Sequence, residues 1–337
     1  MKAFQHIVPN SLQEVVALLN ENPIQYKILA GGLDLLGEMK EHIVEPDILI
    51  SISQLDGLKG IRTENGITHI GAAVTLTELA ENSEMNNDHT VLTQAARSVG
   101  SPQIRNRGTL GGNLCQRPRC WYYRDEHYSC FKKGGDSCFS VAGQNRYHAI
   151  LGGGPCFMVH PSDCAPALIA LGARVHLLGP NGSRILPMED FYHLPGDDVF
   201  TETTIESNEI VTEVEIPAHT MKSIYLKVRQ KESFDWALAT VAAAFEMDGP
   251  YCLKANLVMG GVAPMPWRAT QVEALLQGQE LTDSLAAEVA EVAVMNASPL
   301  SGNEPKVIIA KALVTQAIQS FKSDMTGSEE AALYSGH

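Results

Sequence analysis

Apolar residues near the start of the chain recur at spacings that predict short strands alternating with helices. Ser11 and Glu14 have the spacing of a capping box, and the apolar-periodic run from Leu12 to Leu19 predicts the helix that follows. The apolar stretch from Tyr26 to Ala30 predicts a strand, which runs through Gly31-Gly32 into a helix-like segment. A strand, a glycine turn and a helix are therefore expected in that order.

Similar patterns continue along the chain and change in character near residue 220. Further strands are predicted at 48–52, 174–179, 209–216, 223–228 and 253–260, with a hairpin across 61–70 that turns at Asn65-Gly66. Further helices are predicted at 76–99, in the APALIALGA stretch that ends at Gly172, and at 270–276, 284–296 and 305–321. The pattern indicates an α+β protein with a domain boundary near residue 220.

The composition is typical of a soluble globular protein with two or three domains. The 337 residues are 45% hydrophobic and 19% charged, and the formal net charge is −14. This acidity argues against nucleic acid and anionic membrane surfaces as main partners. No apolar run is long enough to predict membrane insertion, and the first residues predict no signal peptide.

Two glycine-rich turns are candidates for binding a phosphate group. The first is Lys27-Ile28-Leu29-Ala30-Gly31-Gly32-Leu33-Asp34, and the second is Arg107-Gly108-Thr109-Leu110-Gly111-Gly112-Asn113. Adjacent glycines place no Cβ in the way of a ligand, so several backbone N–H groups can point at one anion. Such pairs also form ordinary tight turns, and the pattern alone leaves both interpretations open. Neither turn has the G-x-G-x-x-G fingerprint, which disfavours a Rossmann fold.

Six of the seven cysteines fall within residues 115–164, a stretch we call the cysteine window. They are Cys115, Cys120, Cys130, Cys138, Cys156 and Cys164, and Cys252 lies outside. The spacings lack the C-x-x-C pairs of zinc ribbons and the compact run of bacterial ferredoxins. An iron–sulfur cluster, a structural zinc site and a set of buried inert thiols all remain open. Nearby cations favour a negatively charged metal group, and these are Arg117, Arg119, Arg124, Lys132 and Lys133.

Taken together, these segments resemble the FAD-binding subunit of the molybdenum hydroxylases, the relatives of xanthine dehydrogenase and carbon monoxide dehydrogenase. The resemblance runs nearly end to end and rests on KILAGGLDLL, IGAAVTLTELA, SPQIRNRGTLGGN, HPSDCAPALIALGA, SNEIVTEVEIP, KVRQKESFDWALATVAAAF and GGVAPMPWRA. The cysteine-bearing insertion at about 115–157 resembles the one that holds a [4Fe–4S] cluster in two kinds of flavoprotein subunit. These are the subunits of 4-hydroxybenzoyl-CoA reductase and of bacterial periplasmic aldehyde oxidoreductase, and NLCQRPRCWYYR, CFKKGGDSCF and YHAILGGGPC are closer to the second.

The resemblance implies a fold and a division into domains. Residues 1–220 would form an FAD-binding domain of the p-cresol methylhydroxylase and vanillyl-alcohol oxidase type, built from two α+β subdomains. Residues 221–325 would form a second α+β domain of antiparallel sheet and helices, like the C-terminal domain of carbon monoxide dehydrogenase flavoproteins. Residues 326–337 would be a disordered tail.

The resemblance also implies roles for individual residues, with the flavin as the redox centre and no catalytic side chain in this subunit. The residues implied to bind FAD are Lys27, Ile28, Leu29, Ala30, Gly31, Gly32, Leu33, Asp34, Gly108, Thr109, Gly111, Gly112, Asn113, Cys115, Asp163, Val211 and Lys227. The residues implied to bind the cluster are Cys120, Cys130, Cys138 and Cys156. Cys115 is expected near the flavin, with a ligand role as the alternative, and Cys164 is expected in the core.

The function implied is electron transfer within a larger molybdenum-cofactor complex that oxidises an aldehyde. Electrons would come from a molybdenum-bearing large subunit and a small [2Fe–2S] subunit, and would leave to an external acceptor. One alternative is the same subunit role in a xanthine dehydrogenase or 4-hydroxybenzoyl-CoA reductase type of complex. An alternative from another class is a scaffold protein whose cysteine window binds a structural zinc ion. The compartment stays open between the cytoplasm and the periplasm, which the chain would reach with a signal-bearing partner.

Other polar residues have less specific patterns. His148 and His160 flank the predicted cluster region, but a lone histidine is more often a structural residue than a metal ligand. Asp235 and Trp236 are compatible with a contact near the flavin or with the start of a helix. The sequence contains no Ser–His–Asp or Cys–His pattern at a nucleophile turn, so hydrolase chemistry has no support.

Overall fold

The computed structural model describes residues 1–230 and 234–323. Its N-terminal part is a small parallel sheet with two helices. Its strands are β1 (Gln5–Ile7), β2 (Tyr26–Leu29) and β3 (Ile48–Ser51), in the order β1-β3-β2. Helix α1 (Leu12–Glu21) connects β1 to β2, and α2 (Leu35–Lys40) follows the first glycine turn. The Ser11 hydroxyl caps α1 by accepting the Glu14 N–H, as the sequence predicts, but the Glu14 carboxylate accepts the N–H of Asn10 and so does not complete the capping box. The predicted tail lies outside the described residues.

The second layer is a five-stranded antiparallel sheet in the order β4-β5-β8-β6-β7. Its strands are β4 (Ile61–Glu64), β5 (Ile67–Gly71), β6 (Arg174–Gly179), β7 (Gly182–Pro187) and β8 (Ile210–Ile216). Asn65 and Gly66 have φ angles of 53° and 79°, so the predicted hairpin turn forms.

The single helix predicted at 76–99 is wrong. Three helices occupy this stretch: α3 (Leu76–Glu81), α4 (Ser83–Asp88) and α5 (Thr90–Arg97). Asn82 takes an extended conformation and its side chain accepts the Met85 N–H, which ends α3 and starts α4. The apolar periodicity continues across the break because all three helices bury one face against the same core.

Short helices connect the second glycine turn to the rest of the domain. They are α6 (Pro102–Arg105), α7 (Leu110–Leu114) and α8 (Trp121–Arg124), and α9 (Cys164–Ala170) follows the cysteine-bearing insertion. The structure also contains 3-10 turns at Asp56–Leu58, Phe131–Lys133 and Met188–Phe191. Gly172 ends α9 with a φ angle of 68°, as predicted.

The C-terminal part is a four-stranded antiparallel sheet covered by helices. Its strands are β9 (Lys222–Val228), β10 (Ala239–Asp248), β11 (Tyr251–Gly260) and β12 (Trp267–Arg268), and its helices are α10 (Thr270–Leu276), α11 (Asp283–Ala293) and α12 (Pro305–Ser323). The sequence analysis missed β10, because a central strand buried on both faces lacks polar alternation. The whole architecture confirms the predicted α+β class. Within the described ranges, no helix combines the length and apolar character needed to cross a membrane.

Candidate cofactor cleft and cysteine site

The two glycine turns lie directly against each other. A Cβ atom at Gly31 would lie 2.0 Å from the carbonyl oxygen of Arg107, so this approach requires glycine. Gly32 has a φ angle of 77°, which glycine adopts without strain. In the second turn, the Thr109 hydroxyl caps α7 by accepting the Gly112 N–H at 3.2 Å. The turns therefore form one continuous backbone wall.

This wall bounds a cleft of about 460 Å³ between the N-terminal sheets and the C-terminal part. The predicted flavin-binding residues that line it are Lys27, Ile28, Ala30, Gly31, Gly32, Leu33, Asp34, Gly108, Thr109, Gly111, Gly112, Asn113, Cys115, Asp163, Val211 and Lys227. Leu29, at the end of β2, is absent from the lining of the cleft. Residues more than 180 positions apart thus meet at one surface, and their contacts with FAD remain predictions.

A buried ion pair joins the cleft to the C-terminal sheet. The Lys227 ammonium on β9 lies 2.6 Å from Oδ2 of Asp163, and both side chains are nearly fully buried. The Tyr225 hydroxyl donates to Oδ1 of the same carboxylate at 2.6 Å. Burial, followed by the charge of Asp163, raises the pKa of Tyr225. Two donors of one strand, Lys227 and Tyr225, therefore hold the Asp163 carboxylate in place within the protein.

The carboxylate of Asp34 ties the first glycine turn to the cysteine window. Its Oδ1 atom accepts hydrogen bonds from Arg124 at 2.6 Å and pairs with Arg119 at 2.9 Å. Its Oδ2 atom accepts the backbone N–H of Arg117 at 2.6 Å. Three residues of the window are thereby anchored on one acidic side chain, so the insertion and the turn form a single unit.

Two further ionisable residues of the cleft wall are perturbed by burial. Burial lowers the pKa of Lys27, and the nearby positive charge of Arg117 adds to this effect. Burial raises the pKa of Glu38, which accepts a hydrogen bond from the Tyr123 hydroxyl at 2.5 Å. Removal from water makes the charged form of each group costly, so this end of the cleft is poorly solvated.

Four cysteines of the window surround a small buried cavity of about 10 Å³, which we call the cysteine cavity. They are the four predicted cluster ligands, Cys120, Cys130, Cys138 and Cys156. A hydrogen bond between the last two thiols lowers the pKa of Cys138 to about 5 and raises that of Cys156. The described residues contain no group of three or more His, Cys, Asp or Glu close enough to hold a metal ion. The ligand role of the four thiols stays a prediction.

Aromatic side chains and a histidine enclose the cysteine cavity. Tyr122, Phe131 and Phe139 line it, and the rings of Tyr122 and Phe139 stack with centroids 6.1 Å apart. Nε2 of His148 lies 3.2 Å from the sulfur of Cys120, and burial lowers the pKa of this histidine to about 4. These groups cover part of the cavity, while Cys120 and Cys138 remain partly exposed.

The other three cysteines lie elsewhere. Cys115 lines the cleft, and burial raises its pKa to about 12. Cys164 is fully buried at the start of α9 in the N-terminal core, and Cys252 is buried in the C-terminal core. The structure therefore separates the six thiols of the window into four around one cavity, one in the cleft and one in the core.

Comparison with known proteins identifies the family of this chain. A family described as the FAD binding domain in molybdopterin dehydrogenase matches residues 2–219, and the CO dehydrogenase flavoprotein C-terminal domain matches residues 224–320. The chain belongs to the FAD-binding subunits of the molybdenum hydroxylases. It is an oxidoreductase subunit that binds FAD, and the predicted family and fold class are confirmed.

Individual relatives of this molybdenum hydroxylase subunit cover almost its whole length. It is 37% identical over 318 residues to the aldehyde oxidoreductase FAD-binding subunit PaoB of Escherichia coli K12, covering 92% of this chain and 96% of that protein. The structure of quinoline 2-oxidoreductase from Pseudomonas putida 86 has a TM-score of 0.77 and 25% identity, covering 97% of this chain and 100% of that one. Carbon monoxide dehydrogenase from Hydrogenophaga pseudoflava has a TM-score of 0.76 and 27% identity, covering 96% and 98%.

A second cavity of about 300 Å³ in this molybdenum hydroxylase subunit adjoins both sites. It shares Arg119 and Trp236 with the cleft and shares Cys120 and His148 with the cysteine cavity. Buried polar atoms without a hydrogen-bond partner belong to residues of its wall: Nδ1 of His148 and Nε2 of His160. The second cavity therefore has polar groups in its wall that no protein group satisfies.

Sequence reasoning missed residues that shape this site through their partners. Glu202 is buried and pairs with Arg117 at 2.8 Å and with Lys132, yet it stands in a stretch without any recognisable pattern. Tyr225 holds Asp163, and its alternating strand pattern indicated only that it belongs to a sheet. A buried acid between two cations has no local signature, so only the fold reveals it.

Proposed function

We propose that this chain is the FAD- and [4Fe–4S]-binding electron-transfer subunit of a heteromeric, molybdenum-dependent aldehyde oxidoreductase. Its 37% sequence identity to an aldehyde oxidoreductase FAD-binding subunit supports an aldehyde as the substrate class. The four thiols around the cysteine cavity support the cluster, since [4Fe–4S] clusters take four Cys thiolates. The resemblance of the insertion to cluster-bearing flavoprotein subunits favours iron and sulfide over zinc.

The observation that carries the proposal is the second cavity, which has one wall in common with each site. Arg119 lies on the cleft side and Cys120 on the cysteine side, one residue apart in sequence. Redox groups bound in the two sites would therefore lie on either side of this shared cavity. Such proximity is what electron transfer within one subunit requires, and a purely structural metal has no need of it.

The chain's own residues would bind, orient and insulate the cofactors. The first glycine turn offers backbone N–H groups to a pyrophosphate, whereas those of Gly111 and Gly112 in the second turn are already bonded within the protein. The buried Lys227–Asp163 pair lies beside the cleft. When bound, FAD supplies the exchange of one or two electrons, which protein side chains do not provide. Cys115 would contact the flavin from the cleft wall.

The remaining parts of the activity would belong to partners. Substrate oxidation is assigned to a large subunit that carries the molybdenum cofactor, and electron delivery to a small [2Fe–2S] subunit. An external acceptor would receive the electrons. We place domains at 1–220 and 221–325, with the insertion at about 115–157 inside the first. The family models that match residues 2–219 and 224–320 support a boundary near residue 220.

The cofactor content of the purified chain tests the proposal directly. We expect a visible flavin absorption band, about four irons per chain and an equal amount of acid-labile sulfide. Cys120→Ser and Cys138→Ser should remove iron and leave most of the flavin, because these thiols lie outside the cleft. Cys252→Ser is the control, since this thiol is buried in the C-terminal core. Stoichiometric zinc without iron would refute the cluster.

The substrate class needs a separate experiment on the assembled complex. Co-purified partner subunits should reduce the flavin of this chain when aldehydes are added. Reduction by xanthine instead would assign the complex to the xanthine dehydrogenase type and would leave the subunit's electron-transfer role intact.

A further inference from the structure

The five cations of the cysteine window, which look alike in sequence, have different positions in the fold. Arg119 and Arg124 pair with Asp34 of the first glycine turn. Arg117 pairs with Glu202 and lines the cleft. These three arginines are therefore directed towards the flavin side, whereas the two adjacent lysines have other partners.

Lys132 and Lys133 are neighbours that face different surroundings. The side chain of Lys132 is 1% exposed and lines the cysteine cavity together with the four thiols. Lys133 is partly exposed, and its ammonium donates to the backbone carbonyl of Asp125. Only the first of this pair belongs to the wall of the cavity, so the pair offers a matched comparison.

The ammonium of Lys132 is fixed by groups from a distant loop. It donates to the carbonyl oxygens of Val199 at 2.8 Å and Thr201 at 3.4 Å, and it pairs with the carboxylate of Glu202. Because Glu202 also pairs with Arg117, the three side chains carry one net positive charge in a buried region. The cavity that Lys132 lines is also lined by Cys156 and the other three thiols.

We propose that Lys132, held by Glu202, is the positioning residue that sets the reduction potential of the group bound by the four cysteines. This inference rests on the proposed function. Reduction adds a negative charge to a thiolate-bound cluster, and a fixed cation in a poorly solvated wall stabilises that charge. The more positive the wall, the higher the midpoint potential.

The test is a redox titration of the purified full-length chain, monitored by the electron paramagnetic resonance signal of the reduced cluster. Lys132→Met should lower the midpoint by roughly 60 mV, which is a tenfold change in the ratio of reduced to oxidised cluster. Lys133→Met removes the same charge from a more exposed position and should leave the midpoint unchanged. Lys132→Arg should return it towards the wild-type value. Equal midpoints in Lys132→Met and the wild type would overturn the proposal.

Glu202→Gln provides an independent test if Lys132→Met does not retain iron. Neutralising this acid leaves the positive charges of Lys132 and Arg117 less compensated, so the midpoint should rise. If the two residues were merely structural, their variants would not shift the midpoint potential in opposite directions. An unchanged or lower midpoint in Glu202→Gln would contradict the inference. A wild-type chain without iron would refute the proposed cluster itself, whereas iron with unchanged midpoints would refute only the role of Lys132.

Discussion

Removing one partner of the buried pair of Lys227 and Asp163 should strongly destabilise the protein. The pair has an N–O distance of 2.6 Å, and its side chains are 5% and 6% exposed. Lys227→Met would leave the Asp163 carboxylate buried with the Tyr225 hydroxyl as its remaining donor among these contacts. Removing one partner of such a pair costs about 3–5 kcal/mol, because the other charge is left uncompensated away from water.

A double-mutant cycle separates this charge effect from lost packing. We expect Lys227→Met to decrease the free energy of unfolding by about 3–5 kcal/mol, measured by urea denaturation of the FAD-free chain. Adding Asp163→Asn should recover much of the loss, because a neutral amide is far less costly to bury than an unpaired carboxylate. If the double variant is no more stable than Lys227→Met, the uncompensated charge is not the cause and the reasoning fails.

Three further predictions concern the pH response, the anchored insertion and the contact between the glycine turns. Burial lowers the pKa of His89 from 6.5 to about 4, so the unfolded chain binds the extra proton between these values and stability is lost as the pH falls below 6.5. Thermal melts at pH 7 to 5 should show a shallower dependence in His89→Gln, by up to about 1.4 kcal/mol per pH unit, and equal slopes would contradict this. Asp34→Asn should lower both flavin and iron content on purification, while the exposed Asp136→Asn should not; loss of neither cofactor would show that the anchor is dispensable. Gly31→Ala should cost at least about 1–3 kcal/mol and weaken FAD binding in a fluorescence titration, because its Cβ would collide with a backbone carbonyl. Gly37→Ala, whose Cβ would have its nearest neighbour at 3.8 Å, is the control, and equal behaviour of the two variants would refute the steric argument.

Features that depend on a few neighbouring residues were predictable from the sequence. The cap at Ser11, the turn at Asn65-Gly66 and the end of α9 at Gly172 formed as expected. Each is determined by the backbone preferences or hydrogen-bonding groups of residues within about four positions. The prediction of one helix at 76–99 was wrong because Asn82 can either continue a helix or cap a new one. In the structure its side chain caps α4 by accepting the Met85 N–H.

The sequence by itself determined which residues could serve a flavin and a metal group. The two glycine turns, the cluster of cysteines and the basic stretch are visible in the sequence alone. The family resemblance implied that they bind FAD and an iron–sulfur cluster in one subunit. The sequence could not show which of the five cations of the cysteine window lies closest to the cysteines, because side chains of equal charge cannot be distinguished until their surroundings are known. It also gave no indication that Asp34 would hold the insertion.

Only the tertiary structure decided those pairings, because they join residues far apart in the chain. Lys132 meets Glu202 across 70 positions, and Asp163 meets Lys227 across 64. The strength of a charge pair depends on distance and on exclusion from water, and both are set by packing, not by sequence spacing. The sequence therefore specified the chemistry of this subunit, and the fold decided which of its charges face the cleft and which one faces the cysteines.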